Sequence, residues 1–309
     1  MRGFIKVTAY LVLAVILLLA ADIAICFVYP DVAVLKKKNP EKTSFMKYRE
    51  KQWENKGLDK KIKQKWVPFS RISPYVIKAV IIAEDDKFWR HEGFDFVAMQ
   101  KAIEKDIKKK KFKVGGSTIS QQLAKNLFLT PAKTPVRKIK EAIYTWRLER
   151  NISKKRIMEL YLNVAEWGDA LFGIEAAARK YYGKSASSLG PEEASRLATV
   201  LPNPIRFSPV GSSKYVRNRS ALIYRIMVRR GIVIEEYVEV MNEPQEETGV
   251  ETDTTNDESL PDEGSLANTS GPDAPDAAQP PPVPVPETEA PAVNEDSINK
   301  DNEPGNEAP

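Results

Sequence analysis

Glu84 is the first residue of this sequence whose position suggests catalysis. It follows the apolar run VIKAVIIA at residues 76–83 and precedes two further acidic residues, Asp85 and Asp86. A carboxylate at the end of a buried helix is partly removed from water, which raises its pKa toward the range of a general base. A solvated acidic helix end is an equally good interpretation of these residues taken alone. We interpret the nearby His91 as a structural hydrogen-bonding residue.

A second candidate site begins at the paired glycines Gly115 and Gly116. Glycines before a helix allow backbone amides to approach a ligand, and a helix N-terminus favours anions. If Ser117 caps this helix, one face presents hydroxyl, amide and ammonium groups at one-turn intervals: Ser117, Gln121 and Lys125. The opposite face forms an apolar packing stripe: Ile119, Leu123 and Leu127. An ordinary amphipathic helix explains the stripe, but it does not explain the paired glycines or the adjacent Gln121 and Gln122.

Arg137 and Glu141 lie one helical turn apart in a third candidate site. The apolar residues around them predict the packing stripe of the same helix: Val136, Ile139, Ile143 and Trp146. One interpretation of the charged pair is a surface ion pair, which contributes only a few tenths of a kcal/mol. The other is a second carboxylate held among cations that bind phosphate.

Helical periodicity dominates residues 67–242 and predicts a mainly α domain that positions these sites. Five residues are placed to start helices as N-caps: Ser73, Asp95, Ser117, Thr134 and Ser153. Further helical runs cover residues 173–182, 191–201, 213–230 and 232–242. No convincing alternation of polar and apolar residues predicts a strand. The block KKRIMELYLN at residues 154–163 has the periodicity of a core helix, and we expect it to be structural.

The N-terminal segment predicts a membrane anchor. Residues 8–29 are almost uninterruptedly apolar and match the roughly 20 residues that cross a bilayer. A cleaved signal peptide is the alternative, but the bulky ICFVYP that follows the apolar run is a poor cleavage site. Asp22 interrupts the run and is costly within a membrane unless it lies near the interface or has a partner. We therefore expect residues 1–30 to form an uncleaved anchor and the Lys-rich residues 31–66 to form a connector.

Charge divides the chain into a basic body and an acidic tail. Residues 243–309 contain 18 Asp or Glu and one Lys, a net charge of −17. The preceding 242 residues contain 46 Lys or Arg against 24 Asp or Glu, a net charge of +22. The tail is rich in proline and poor in large apolar residues, so we predict that it is disordered.

The composition also restricts the chemistry and the partners. One Cys and one His exclude an intrachain disulfide and an H-E-x-x-H zinc site. The basic body favours anionic partners. Behind a membrane anchor, lipid headgroups are better partners than nucleic acid.

Four blocks of the sequence resemble, in the same order, the signature motifs of the peptidoglycan glycosyltransferase family (glycosyltransferase family 51). They are EDDKFWRHEGFD, GGSTISQQLAKN, RKIKEA and KKRIMELYLNVAEWG. The resemblance covers the segment from about 67 to 230, and the first two blocks together are highly specific. The anchor, the sequence LPNPIRFSP and the lack of a second large domain resemble the monofunctional biosynthetic transglycosylases of this family.

The resemblance implies a lysozyme-like helical fold with a membrane-facing jaw. It also implies a peptidoglycan polymerase, held by its single-pass anchor on the outer, periplasmic side of the inner membrane. The growing lipid-linked glycan would be the donor, and lipid II would be the acceptor. An inverting displacement would form a β-1,4 link and release undecaprenyl pyrophosphate.

The resemblance further implies roles for individual residues. Glu84 matches the general base on the acceptor hydroxyl, and Glu141 matches a carboxylate near the donor pyrophosphate or its cation. The cationic side chains expected at the leaving pyrophosphate are Lys125, Lys133, Arg137 and Lys140. The side chains expected to contact substrate are Ser117, Gln121 and Gln122. A divalent cation, Mg²⁺ or Mn²⁺, is expected on the pyrophosphate, although the sequence shows no protein cage for it.

Two other functions remain open at this stage. A lysozyme-like lytic enzyme would share the fold and cleave glycan, but it has no need of the cations in the second and third blocks. A catalytically inactive, membrane-anchored scaffold would bind other wall-synthesis proteins. Whichever function holds, one hypothesis for the acidic tail is a spacer or a docking segment for another wall-synthesis protein. Nucleic-acid binding explains the basic body but not the membrane span.

Overall fold

The computed structural model describes residues 2–109, 116–132 and 134–234. Within these ranges the protein is mainly helical, as the periodicity predicts. The ten α-helices of the described ranges are α1 (Arg2–Ala24), α2 (Ser44–Glu54), α3 (Pro74–Glu84), α4 (Phe96–Lys109), α5 (Ile119–Phe128), α6 (Pro135–Asn151), α7 (Lys154–Val164), α8 (Ile174–Tyr182), α9 (Pro191–Val200) and α10 (Lys214–Arg229). The acidic tail lies outside the described residues.

Buried side chains of α3, α5, α7 and α9 belong to one apolar cluster. Helix α3 packs against α9 and α10, and α5 packs against α6 and α7. The largest fully buried aromatic side chains lie after α3, on α7 and after α7: Phe88, Tyr161, Trp167 and Phe172. Fully burying one phenylalanine contributes about 1.5–3 kcal/mol. This core holds the C-terminus of α3 against the N-terminal part of α5.

Four of the predicted N-caps accept a hydrogen bond from the first turn of their helix: Ser73, Asp95, Thr134 and Ser153. The prediction for α5 is wrong by one residue. Its N-cap is Thr118, whose hydroxyl accepts a hydrogen bond from the backbone amide of Gln121. The predicted helix over 232–242 does not begin at residues 232–234, which are not helical, and its remainder lies outside the described residues.

The predicted packing stripe of α6 is confirmed only in part: Ile143 is buried, but two other members are exposed. Ile139 and Trp146 are 49% and 45% exposed. The buried face of α6 instead mixes polar and apolar residues: Glu141, Ile143, Tyr144, Thr145, Arg147 and Leu148. Apolar periodicity missed this face because its charged members are buried together with their own hydrogen-bonding partners.

Helix α1 and the turn after it form a segment long and apolar enough to cross a membrane, and α1 is almost entirely exposed. The chain that follows α1 docks on α6. Arg147 donates hydrogen bonds of 2.8, 3.0 and 2.7 Å to the carbonyl oxygens of Cys26, Val28 and Pro30. Asp22 forms a 2.6 Å ion pair with Lys140. The acidic residue of the apolar run therefore has a cationic partner on the helix that carries Glu141.

The segment predicted to be a connector packs on the domain. It contains α2, whose Met46 and Trp53 are buried in the same apolar cluster as the core. Arg49 of α2 forms a 3.0 Å ion pair with Glu166. These contacts join residues 31–66 to the helices behind them, while the boundaries between the four predicted domains stay predictions.

A small sheet that periodicity did not predict lies beside α8. Its strands are β1 (Lys63–Gln64), β2 (Glu166–Gly168) and β3 (Leu171–Phe172), in the spatial order β1-β3-β2. Strand β3 is parallel to β1 and antiparallel to β2. Strands of two or three residues are too short to show an alternating pattern.

Candidate active site

Glu84 is the last residue of α3 and faces a cleft of about 340 Å³. The cleft is lined on its other sides by the start of α4 and by the residues before α5, including Gly116 and Ser117. One oxygen of Glu84, Oε2, accepts a 2.7 Å hydrogen bond from the side-chain amide of Gln122. Removal of water by the surrounding protein raises the pKa of Glu84, although the Gln122 hydrogen bond opposes this shift. The carboxylate therefore has the environment that the general-base prediction requires.

Asp85 ties the first candidate site to the start of α5. Its carboxylate contacts His91 Nε2 at 2.9 and 3.0 Å. The same carboxylate accepts a 2.9 Å hydrogen bond from the backbone amide of Ile119. His91 is thus a structural hydrogen-bonding residue, as predicted. The loop after Glu84 and the first turn of α5 are held as one unit, which fixes Glu84 relative to Gln122.

Glu141 forms the second acidic centre, and its side chain is 4% exposed. One oxygen accepts a hydrogen bond from Arg137, and the other accepts one from Lys138. Lys138 also donates a 3.2 Å hydrogen bond to the hydroxyl of Ser117. The Arg137–Glu141 pair is therefore buried on its acidic side, and it is not the simple surface pair that the spacing also allowed.

Lys125 lies within electrostatic reach of both carboxylates. Burial lowers its pKa, Glu141 and Glu84 raise it, and Arg137 and Lys138 lower it. The ammonium is thus part of the same cluster of charges that links α3, α5 and α6. An ammonium in this position can balance negative charge that develops on a substrate.

Two cations at this site were not predicted from the sequence. One is Lys138. The other is Arg219 of α10, which donates a 3.0 Å hydrogen bond to the carbonyl oxygen of Ala83 and lowers the pKa of Glu84. The available signal for Arg219 was the composition of α10, which contains five Lys or Arg and no acidic residue.

Three predicted site residues have other positions or cannot be placed. The amide oxygen of Gln121 accepts a 2.9 Å hydrogen bond from the Thr118 backbone and closes a capping box. Gln121 is only 2% exposed and serves the cap of α5, and its contact with substrate stays a prediction. The ammonium of Lys140 points to Asp22. Lys133 lies outside the described residues.

The donor groups do not fit a protein-held divalent cation. Within residues 2–109, 116–132 and 134–234, no three His, Cys, Asp or Glu side chains are grouped to bind a metal ion. Both oxygens of Glu141 already accept hydrogen bonds from cations. The expected Mg²⁺ or Mn²⁺ would depend on oxygens of the substrate pyrophosphate, and it stays a prediction.

Comparison with known proteins identifies the family. The sequence model of the transglycosylase family matches residues 50–228. A biosynthetic peptidoglycan transglycosylase of Dechloromonas aromatica (strain RCB) is 56% identical over 183 residues, which are 59% of this chain and 76% of the relative. Relatives with the same description from Nitrosospira multiformis and Aromatoleum aromaticum are 48% and 51% identical, over 63% and 60% of this chain and 84% and 83% of their own lengths. The chain therefore belongs to the transglycosylase family, whose members transfer glycosyl groups.

Proposed function

We propose that this protein is a peptidoglycan polymerase that extends a lipid-linked glycan with lipid II. The observation that carries the proposal is the contrast between two carboxylates. Glu84 faces the cleft with a raised pKa and a single neutral hydrogen-bond donor. Glu141 is neutralised by Arg137 and Lys138. One side of the site is suited to accept a proton, and the other is suited to bind a pyrophosphate.

Glu84 acts as the general base on the acceptor sugar. The 4-hydroxyl of lipid II gives its proton to Glu84 and attacks the anomeric carbon of the donor glycan. The bond between that carbon and the pyrophosphate oxygen breaks, and its electron pair leaves with undecaprenyl pyrophosphate. A single displacement at an α-linked donor gives a β-1,4 link.

Cations on α5 and α6 stabilise the leaving pyrophosphate. Arg137 and Lys138 are held by Glu141 before substrate binds, so they need little rearrangement as negative charge develops. Lys125 lies in the same cluster of charges. The hydroxyl of Ser117 accepts a hydrogen bond from Lys138, so Ser117 lies beside these cations. Glu141 keeps the cations in place. A divalent cation carried by the substrate would add positive charge to the same oxygens.

The anchor brings the cleft to the lipid substrate. Helix α1 would cross the inner membrane once, with the catalytic domain on its outer, periplasmic side. The ion pair between Asp22 and Lys140 fixes the end of α1 on the helix that carries Glu141. A lipid-linked donor would then reach the cations of α6 without leaving the membrane surface.

Incubation of the detergent-purified full chain with labelled lipid II and Mg²⁺ tests the proposal. The wild type should produce a ladder of glycan chains, and the Glu84→Gln variant should produce none. Glu92→Gln is a matched control, because Glu92 is an exposed carboxylate of the same block.

The products separate the proposal from its alternatives. Short fragments released from preformed glycan, without any ladder from lipid II, would indicate a lytic enzyme. Bound but unchanged lipid II with every protein would indicate a scaffold. A ladder from Glu84→Gln as strong as that of the wild type would remove Glu84 as the base.

A further inference from the structure

Tyr161 connects the predicted core helix α7 to the candidate base. Its ring is 1% exposed, in agreement with the structural role expected for this block. Its hydroxyl nevertheless donates a 3.1 Å hydrogen bond to the amide oxygen Oε1 of Gln122. The amide nitrogen Nε2 of the same Gln122 donates to Glu84 Oε2 at 2.7 Å. Three side chains from α7, α5 and α3 thus form one continuous hydrogen-bonded chain.

The direction of this chain follows from the chemistry of its groups. A glutamine amide has one acceptor oxygen and one donor nitrogen, and either can point toward a neighbour. An ionised carboxylate only accepts, so Glu84 selects the orientation in which Nε2 points to it, and the Tyr161 hydroxyl then donates to Oε1. Burial and the charges of Glu84 and Asp85 raise the pKa of Tyr161 well above its usual value, so its hydroxyl keeps the proton that it donates.

We propose that Tyr161 is a positioning residue that orients Glu84 through Gln122. The Gln122 amide holds one carboxylate oxygen, Oε2, and leaves Oε1 for the proton of the acceptor hydroxyl. The inference rests on the proposed role of Glu84 as the base, and it adds the side chain that keeps this base aligned. Without the Tyr161 hydroxyl, Oε1 of Gln122 loses its donor, and the amide is no longer fixed from both sides against Glu84 Oε2.

Other groups around Glu84 do not replace this hydrogen bond. Arg219 of α10 and Lys125 of α5 act on Glu84 by charge, and both lower its pKa. Asp85 raises it. The Asp85 carboxylate is itself held by His91 and by the Ile119 backbone, so it does not take over the Gln122 amide. Loss of the oriented amide should therefore raise the pKa of Glu84 further while the other charges stay in place.

The test is the pH dependence of polymerisation by the full-length Tyr161→Phe variant in detergent. We expect the acidic limb of kcat/KM to move upward by about one pH unit, because the Gln122 donor is no longer held in place against the carboxylate. On that limb the rate should fall about ten-fold, with little change in the KM for lipid II. The matched control is Tyr181→Phe, which removes a 3.2 Å tyrosine hydrogen bond to the carbonyl oxygen of Trp167. The Tyr181→Phe variant should have the same acidic limb of kcat/KM as the wild type.

A second variant separates a positioning role from a structural one. Gln122→Leu should also move the acidic limb upward, and adding Tyr161→Phe to it should cause no further shift. An unchanged limb in a folded Tyr161→Phe variant, or shifts that add in the double variant, would overturn the inference. If Tyr161→Phe does not fold, the pH profile of Gln122→Leu is the deciding measurement. An unchanged acidic limb in Gln122→Leu overturns the inference.

The same experiments distinguish this inference from the proposed function. Full polymerisation by Glu84→Gln would remove the base assignment and the inference with it. Loss of activity in Glu84→Gln together with an unshifted Tyr161→Phe profile would leave the polymerase intact and remove only the role of Tyr161.

Discussion

The carboxylates of Glu84 and Glu141 have opposite surroundings, although both end up among buried helices. Glu84 retains an open side toward the cleft and accepts one hydrogen bond, from a neutral amide. Glu141 is almost fully buried and accepts hydrogen bonds from two cations. The first environment favours taking up a proton, and the second holds two cations against a carboxylate. The same residue type therefore has two different electrostatic environments in this structure.

The same contrast explains why sequence spacing alone was ambiguous. Arg137 and Glu141 have the spacing of an exposed ion pair, which is worth little. Because the pair is largely buried, its loss should affect stability strongly: removing one partner leaves an uncompensated charge. Glu84 has no cation within hydrogen-bonding distance in the described part of the chain, so its removal breaks no ion pair of this kind.

The largest expected effect is the loss of turnover in Glu84→Gln. A missing general base should lower kcat by about 10²- to 10⁴-fold. The free energy of unfolding should not fall, because the variant replaces a desolvated carboxylate by a neutral group of similar size. Measurement of kcat with lipid II and of thermal unfolding checks both halves. A strongly destabilised Glu84→Gln variant would show that the stability of the fold depends on the charge of Glu84, as we expect for Glu141.

Glu141→Gln should affect stability as well as activity. Arg137 is mostly buried and would lose its carboxylate partner. We expect the free energy of unfolding to fall by about 2–4 kcal/mol, near the range for a broken buried pair. Denaturant unfolding in detergent, beside Glu84→Gln under the same conditions, measures the difference. Equal stability of the two variants would contradict the contrast between the two centres.

Lys138 and Lys140 both precede Glu141 on α6, but they contact different groups. Their substitutions should therefore lower the activity by different amounts. Lys138→Gln removes a cation that contacts Glu141 and Ser117, and kcat/KM should fall about 10- to 100-fold. Lys140→Gln removes the partner of Asp22 at the base of the anchor, and the loss should be only about two- to three-fold. Steady-state kinetics with lipid II compares them. A larger loss of kcat/KM for Lys140→Gln than for Lys138→Gln would indicate that Lys140 acts at the pyrophosphate site.

The smallest expected effect concerns Glu166, which combines features of both centres. Burial raises its pKa to about 7, even though Arg49 lowers it. A carboxyl group whose folded pKa is raised destabilises the fold above that pKa, and this penalty disappears as the pH falls toward its usual value of 4.5. The wild type should therefore gain stability relative to Glu166→Gln between pH 7 and 4.5.

Thermal unfolding of both proteins across this range checks the Glu166 prediction, and a change of about a few degrees is expected. The same sign holds for Glu84, whose folded pKa is also raised. A wild type that loses stability relative to Glu166→Gln on acidification would show that Arg49 outweighs burial at this position.

Local sequence signals predicted most of the helical framework. Ser73, Asp95, Thr134 and Ser153 start their helices because an N-cap needs only a short polar side chain and the backbone amides that follow it. The apolar stripe of α5 is buried as expected at Ile119, Leu123 and Leu127. Sequence analysis failed where partners come from distant parts of the chain. It did not find the short strands of the sheet, the buried polar face of α6 or the cation supplied by Arg219.

The sequence by itself determined the family, the N-terminal apolar helix, the helix starts and the two candidate carboxylates, because each depends on residue types at short spacings. Only the tertiary structure decided which neighbours reach the site. A shift of the α5 cap by one residue turns Gln121 into a capping side chain and leaves Gln122 beside Glu84. Packing of α7 brings the Tyr161 hydroxyl to that amide. These choices depend on helix phase and on contacts between residues far apart in the chain, which local spacing does not encode.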